Sequence, residues 1–249
     1  MDELLKPFEP ITLEEMKSVK LMNRTDTKFV TNTSKLYQLL QLAQQDYYVQ
    51  DIDGLRNPAY DTTYFDTTGY DMYTQHQYGH ANRQKIRFRT YCCSHLQFME
   101  VKTKHNHGRN KKKRIEVSDM NLNDREKRLF LQQHLRYPVD QLRPVLNNHF
   151  SRITLVNKGM TERLTIDTSL EFHNIINDQQ LSMGPLVIIE LKRDGQVFSP
   201  VLHMLRQLRI QPHGFSKYCM GEALTGRDFL PVNRFKCKLI EINKIIKQS

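Results

Sequence analysis

The chain lacks any run approaching the roughly 18 uncharged apolar residues that a membrane-spanning helix needs. Its start, MDELLKPFEP, carries neither a basic n-region nor an apolar h-region, so a soluble, cytoplasmic chain is expected. The Gly-rich loops that cradle nucleotides are missing as well. There is no G-x-x-x-x-G-K-[ST], no G-x-G-x-x-G and no kinase HRD or DFG signature, so any nucleotide would be held by side chains. No nucleophile elbow is present. Cysteine is sparse: Cys92, Cys93, Cys219 and Cys237 show no CxxC spacing, and the adjacent pair is awkward for a disulfide, so reduced thiols are expected. His76 and His80 have helical i, i+4 spacing, but Gly79 intervenes and no Glu follows His76, so a zinc site is not expected. No internal repeat or composition shift divides residues 1–249, which read as one domain.

Positive charge is abundant. Lys and Arg number 37 against 27 Asp and Glu, a net charge of +10, which implies anionic partners: nucleic acid, a membrane surface, nucleotides or polyphosphate. The placement of that charge is more informative than its amount. In KIRFR, residues 85–89, strand alternation puts Lys85, Arg87 and Arg89 on one face and Ile86 and Phe88 on the other. The same pattern recurs along the chain. Arg24, Asp26 and Lys28 share a face in MNRTDTKFVT; so do Glu100, Lys102 and Lys104, and Lys112, Arg114 and Glu116. Arg152 and Thr154, then Arg163, Thr165 and Asp167, then Glu190 and Lys192 follow suit, each opposite Ile or Leu. KIRFRTY, LQFMEVKTK and KKKRIEV, joined through the turn HNHGRN, form a meander.

Helices are expected at 34–45, with Leu36, Leu39, Leu40 and Ala43 on one side; over NDREKRLFLQQHL, capped by Asn123; and after Ser199 and Pro200. A capping box of Thr12 and Glu15 predicts an N-terminal helix within residues 1–20, YDMYTQHQYG a short helix, and residues 233–249 a basic amphipathic helix. That last helix is expected to pack on the sheet, with docking to a membrane surface or a membrane-embedded partner as the other reading. Tyr64, Phe65 and Tyr70 are expected in packing, and Lys111 to Lys113 as a solvated run.

Strand after strand with one ionic and one apolar face is more charge than solubility requires. It predicts an α+β fold in which antiparallel strands close into a barrel, apolar faces outward under the helices and charged faces lining a hydrated bore. Such a bore suits a phosphate chain, because Arg grips phosphate oxygens with paired hydrogen bonds and Lys adds a mobile charge. Carboxylates among the cations suggest that the triphosphate arrives with a divalent metal.

These residues resemble the polyphosphate polymerase (VTC) domain of the vacuolar transporter chaperone type, within the CYTH-like triphosphate tunnel metalloenzymes. The signatures are R-T-D-T-K-F (24–29), Y-F-D-T (64–67), K-I-R-F-R (85–89), E-V-K-T-K (100–104), G-R-N-K-K-K-R (108–114), R-L-T-I-D-T (163–168), I-E-L-K (189–192) and G-F-S-K-Y (214–218). The resemblance implies a closed eight-stranded tunnel that transfers the γ-phosphoryl group of ATP to inorganic polyphosphate and releases ADP, with Mn2+ or Mg2+. It implies catalytic roles for Arg87, Arg89, Lys102, Arg163 and Lys217, and phosphate or nucleotide binding by Lys28, Lys85, Lys104, Arg109, Arg114, Arg152, Lys192 and Ser216. Glu190 would hold the metal. Arg24 and Asp26 stand where the wider superfamily carries two glutamates, which favours the polymerase branch. A triphosphatase or nucleotide cyclase of the same fold is the alternative, followed by a non-catalytic polyanion binder; no nucleic-acid motif is present. A membrane association would come through a partner protein.

Overall fold

Residues 1–19, 24–105, 111–195, 197–226 and 229–248 are described by a computed structural model. The chain opens with helix α1 (Asp2–Leu5) and strand β1 (Glu9–Ile11). The capping box forms, with the Thr12 amide donating to Glu15 Oε2 at 2.8 Å and the Glu15 amide to Thr12 Oγ1 at 3.3 Å. It opens only a 3-10 turn, Glu15–Ser18, which buries Met16 alone. With so little apolar surface to cover, nothing offsets the cost of nucleating a longer helix.

Strand β2 (Arg24–Asn32) runs into α2 (Thr33–Ala43), whose first turn is capped by the Asn32 side chain accepting from the Lys35 amide at 3.1 Å. Then come β3 (Tyr47–Gln50), β4 (Ala59–Thr67), α3 (Asp71–Gln77) and the meander β5 (Arg83–Tyr91), β6 (Gln97–Lys104) and β7 (Lys111–Val117). The HNHGRN turn after His105, residues 106–110, lies outside the described residues. Helix α4 (Arg125–His134) is capped by Asp124, not by Asn123: the Asp124 carboxylate accepts from the Lys127 amide at 3.0 Å, and its charge suits the positive helix end. The long strands β8 (Leu142–Asn157) and β9 (Glu162–Asn174) precede the short β10 (Gln180–Ser182) and β11 (Leu186–Asp194). Helices α5 (Pro200–Gln207), α6 (Lys217–Thr225) and α7 (Lys236–Lys247) complete the order. Among the described residues, no helix is long and apolar enough to cross a membrane.

The fold is α+β, built on one 11-stranded sheet whose main path runs β2-β11-β9-β8-β4-β5-β6-β7. All pairs along it are antiparallel; β1 joins β3 in parallel at the periphery. The expected closed barrel is not formed: β2 and β7 end the path without pairing. A loop occupies the outer edge of β2, where Phe29 bridges Pro212 and the His213 amide donates to Lys28 O at 2.7 Å. The lysine-rich edge strand β7 discourages further pairing.

The sheet nevertheless curls strongly. Lys28 of β2 donates to Phe215 O at 3.1 Å, while Lys85 of β5 donates to Ser216 Oγ at 2.6 Å, so strands five places apart meet at neighbouring residues. Alternation sorts the faces as the sequence indicates. Phe29, Ile153, Leu155, Leu164, Ile166, Ile189 and Leu191 are buried outside the curl with α2 and α5, while Ile86, Phe88, Met99 and Val101 join the cluster containing Phe130 and Leu131 of α4. Inside, α6 packs on β8 and β9 and fills one end of the concavity. A Cβ on Gly221 would stand 2.5 Å from Leu146 and 2.7 Å from Phe172, so only glycine permits this approach.

Candidate functional site

Three carboxylates organise the cations inside the curl. On the β5–β6–β7 wall, register places Lys85 opposite Lys102 and Lys102 opposite Lys112, with Arg87, Glu100 and Arg114 in the next row. Facing like charges are unfavourable, and Glu100 offsets them. Its Oε2 accepts from Arg87 Nε at 2.6 Å and its Oε1 from Lys112 Nζ at 2.8 Å. Burial of Glu100 would raise its carboxyl, but Arg87, Arg89 and Lys112 outweigh that and hold it down at about 2.

On the opposite wall, Arg152 donates to both oxygens of Asp167, from Nε at 2.6 Å and Nη2 at 2.9 Å. Lys217, the first residue of α6, brings its Nζ to 2.8 Å from Asp167 Oδ2 and to 2.7 Å from the Phe150 ring centre. The Lys217 ammonium is pushed well below the usual lysine range by burial, with Arg152 and Arg89 adding repulsion that Asp167 only partly offsets. The third acid, Glu190, lies between Lys28 at 3.9 Å and Lys192 at 3.8 Å. Here too burial acts upward, and Lys28, Lys192, Lys102 and Arg152 together hold the carboxyl at about 2.

Arg89 lies deepest, with Nε donating to Thr62 Oγ1 at 3.2 Å and its guanidinium near the Tyr60 and Phe150 rings. Burial and the neighbouring Arg87 and Arg152 push it down to about 10. Beneath it, the Tyr64 hydroxyl is raised by burial but lowered further by Arg87, Arg89 and Lys85. Its ring stacks on Tyr218, so the expected packing role stands, at the floor of the cleft. Lys102 and Lys192 are each pushed down to about 8: Lys192 by enclosure and then by Arg152 and Arg163, and Lys102, although exposed overall, by desolvation of its ammonium among the neighbouring cations and then by Lys28. Both lysines therefore shed their protons readily, and a bound polyanion would restore them.

The cleft thus gathers Lys28, Lys85, Arg87, Arg89, Lys102, Arg152, Arg163, Glu190, Lys192, Ser216 and Lys217. Lys104 and Arg114 are exposed at its rim, Arg114 stacked on Phe98 at 4.6 Å. Arg109 lies outside the described residues. Two organising acids, Glu100 and Asp167, were visible in the sequence only as face-sharing residues. Lys111 to Lys113 are all exposed, as expected of a solvated run, and Lys112 in addition pairs with buried Glu100. Strand pairing in the meander is the signal that could have found it, since it sets Lys112 against Lys102 and beside Glu100.

Among the described residues, no three His, Cys, Asp or Glu side chains form a metal-holding group. His76 instead sets its Nδ1 2.8 Å from Cys219 Sγ, and the four cysteines are free. A hard divalent ion that arrives with phosphates needs only one or two protein carboxylates. The ionised, partly accessible Glu190 fits that donor requirement.

No curated protein matches the chain. Among solved structures, a Bacillus halodurans protein provisionally described as an adenylate cyclase is 14% identical, with 78% of this chain and 96% of that chain covered at a TM-score of 0.52. A Hippeastrum protein provisionally described as an adenylyl cyclase, with a dominant triphosphatase activity, is 13% identical over 85% of this chain and 99% of that one, at 0.49. The fold is shared with the Bacillus halodurans structure. The model of the VTC domain matches residues 23–225, the span that holds every strand of the main path and the whole cleft, and the chain belongs to that family.

Proposed function

We propose that this chain is an ATP-dependent polyphosphate polymerase, which transfers the γ-phosphoryl group of ATP to the end of an inorganic polyphosphate chain and releases ADP. The observation that carries the reading is the charge arrangement in the cleft. Ionised Glu100, Asp167 and Glu190 are each flanked by cations, and cations remain in excess along a partly exposed groove. Such a groove matches a ligand with many phosphates better than one with a single anionic group.

Phosphoryl transfer requires alignment and charge neutralisation more than covalent participation. A terminal oxygen of the polyphosphate attacks the γ-phosphorus in line, the bond to the β,γ-bridging oxygen breaks, and that oxygen leaves with ADP. Arg87, Arg89 and Arg163 stabilise the charge spread over the transferred group. Lys28, Lys85, Lys102, Arg152 and Lys192 hold the flanking phosphates, and Ser216 and Lys217 close over them from the start of α6. Glu190 would hold Mn2+ or Mg2+, which would supply positive charge to offset that of the phosphates.

The test is incubation of the purified chain with ATP and Mn2+, with products resolved on a polyacrylamide gel stained for polyphosphate. A ladder lost in Arg87→Ala and in Glu190→Ala is the expected result. Free phosphate without a ladder would replace this reading with a triphosphatase. Cyclic nucleotide would replace it with a cyclase, the reading favoured by the description of the Bacillus halodurans neighbour. Binding without any ATP consumption would leave a polyanion binder.

A further inference from the structure

The cationic row of β5 does not end at Lys85. Arg83 shares its face two residues earlier, and register sets Lys104 of β6 directly opposite. Arg83 Nη1 donates to His80 O at 2.6 Å, which fixes its guanidinium beside the loop that follows α3. A second guanidinium approaches from the C-terminal region. A Cβ on Gly79, whose φ is +78°, would lie 2.5 Å from Arg234 Nη1, so Arg234 rests flat against the bare glycine backbone. Lys238 of α7 donates to Gly214 O at 3.0 Å, beside the loop that carries Phe215 and Ser216.

This group differs from the cleft in one respect. Each cleft wall has its acid, whereas among the described residues no carboxylate forms an ion pair with Arg83, Lys85, Lys104, Arg234 or Lys238. Glu241, one turn along α7 from Lys238, pairs with His213 at 3.0 Å. The titratable neighbour His76 is driven down to about 2 by burial and by Lys85, Arg83, Lys238 and Arg234, so it stays neutral and adds no charge. Guanidinium and ammonium groups held together without acids form a site that a phosphate anion completes.

We propose that Arg83, Lys104, Arg234 and Lys238 form a second anion site at the end of the β5 row, which holds a phosphate segment of an extended polyphosphate chain beyond its reacting end. The site lies about 13 Å along the strand from Arg87 at the usual rise per residue. It rests on the proposed function only for the identity of the chain in the cleft, and its test requires no turnover.

The experiment measures binding of fluorescently labelled long-chain polyphosphate and of tripolyphosphate, without ATP or metal, to the wild-type chain, to Arg83→Gln combined with Arg234→Gln, and to Arg234→Gln alone. Arg234 is exposed, so the single substitution keeps the test available should the double variant fold poorly. Long-chain affinity is expected to fall about tenfold in the double variant, with the slope of log affinity against log salt shallower by about one per cation removed. Tripolyphosphate, the length read into the cleft, should lose less than about twofold by the same reasoning. Equal losses for both ligands, no loss for either, or a wild-type chain that binds both lengths alike would overturn the proposal. A selective loss together with an empty product gel would retain the second site and reject the polymerase.

Discussion

At the scale of single residues, the carboxylates hold together cations that would otherwise repel one another. Asp167 carries the heaviest share, holding Arg152 through two hydrogen bonds and Lys217 through an ion pair. Asp167→Asn keeps the size and removes the charge, so two enclosed cations face each other uncompensated. Breaking a buried pair in this way costs about 3–5 kcal/mol, readable as a lower urea midpoint at unchanged slope. Saturating tripolyphosphate should then restore more stability to the variant than it adds to the wild type, because it supplies the missing negative charge. Lys102 and Lys192 give the site its pH response. With both near 8, their charge is present below that pH and lost above it, so tripolyphosphate affinity should decline from pH 7 to pH 9. Binding near pH 8 should also take up protons, which calorimetry in buffers of different ionisation enthalpy would detect. A flat profile without proton uptake would remove these two lysines from the ligand's surroundings.

Among the elements, α6 joins the site to the core. Its first turn brings Ser216 and Lys217 to the cleft, and Tyr218 stacks on Tyr64 while its hydroxyl donates to buried Asp66. The next turn presses Gly221 against Leu146 and Phe172. Gly221→Ala adds one methyl where β8 and β9 leave no space; overpacking of this kind costs about 1–3 kcal/mol. It should lower the melting temperature, and it should weaken tripolyphosphate binding because Lys217 moves with the helix. Unchanged stability would mean that α6 is not seated as described. Strands and amphipathic helices of this kind are readable in a sequence, because alternation and helical spacing each follow from local geometry. The placement of α6 is not. KYCMGEALT shows no strong apolar stripe to reveal that it enters the curl, and its function as a plug depends on Gly221 meeting residues from strands far away in sequence. The capping residue of α4 escaped by one position, since Asn123 and Asp124 are both good caps and only the structure shows which side chain reaches the Lys127 amide.

For the molecule as a whole, the ionic interior could be inferred because most main strands repeat the same face, β4 with Tyr60, Thr62 and Tyr64 being the exception, and closure could not, because closure depends on what reaches the last edge. The loop at Pro212 and His213 takes the edge of β2, and nothing in the alternation of MNRTDTKFVT announces a competitor for that edge. The open seam has a consequence for binding. A cleft whose cation Lys102 is exposed to solvent, and Lys28 partly so, should attract polyanions through a field that electrolyte screens, unlike a sealed interior. Tripolyphosphate affinity should therefore fall steadily as potassium chloride is raised, with a linear plot of log affinity against log salt whose slope counts the cations engaged. Arg87→Gln should flatten that slope by about one, as should Lys28→Gln, whereas Lys111→Gln, on the solvated face of β7, should leave it unchanged. Equal effects from all three would show that only the net charge of +10 attracts the ligand, and the cleft would lose its claim as the binding site.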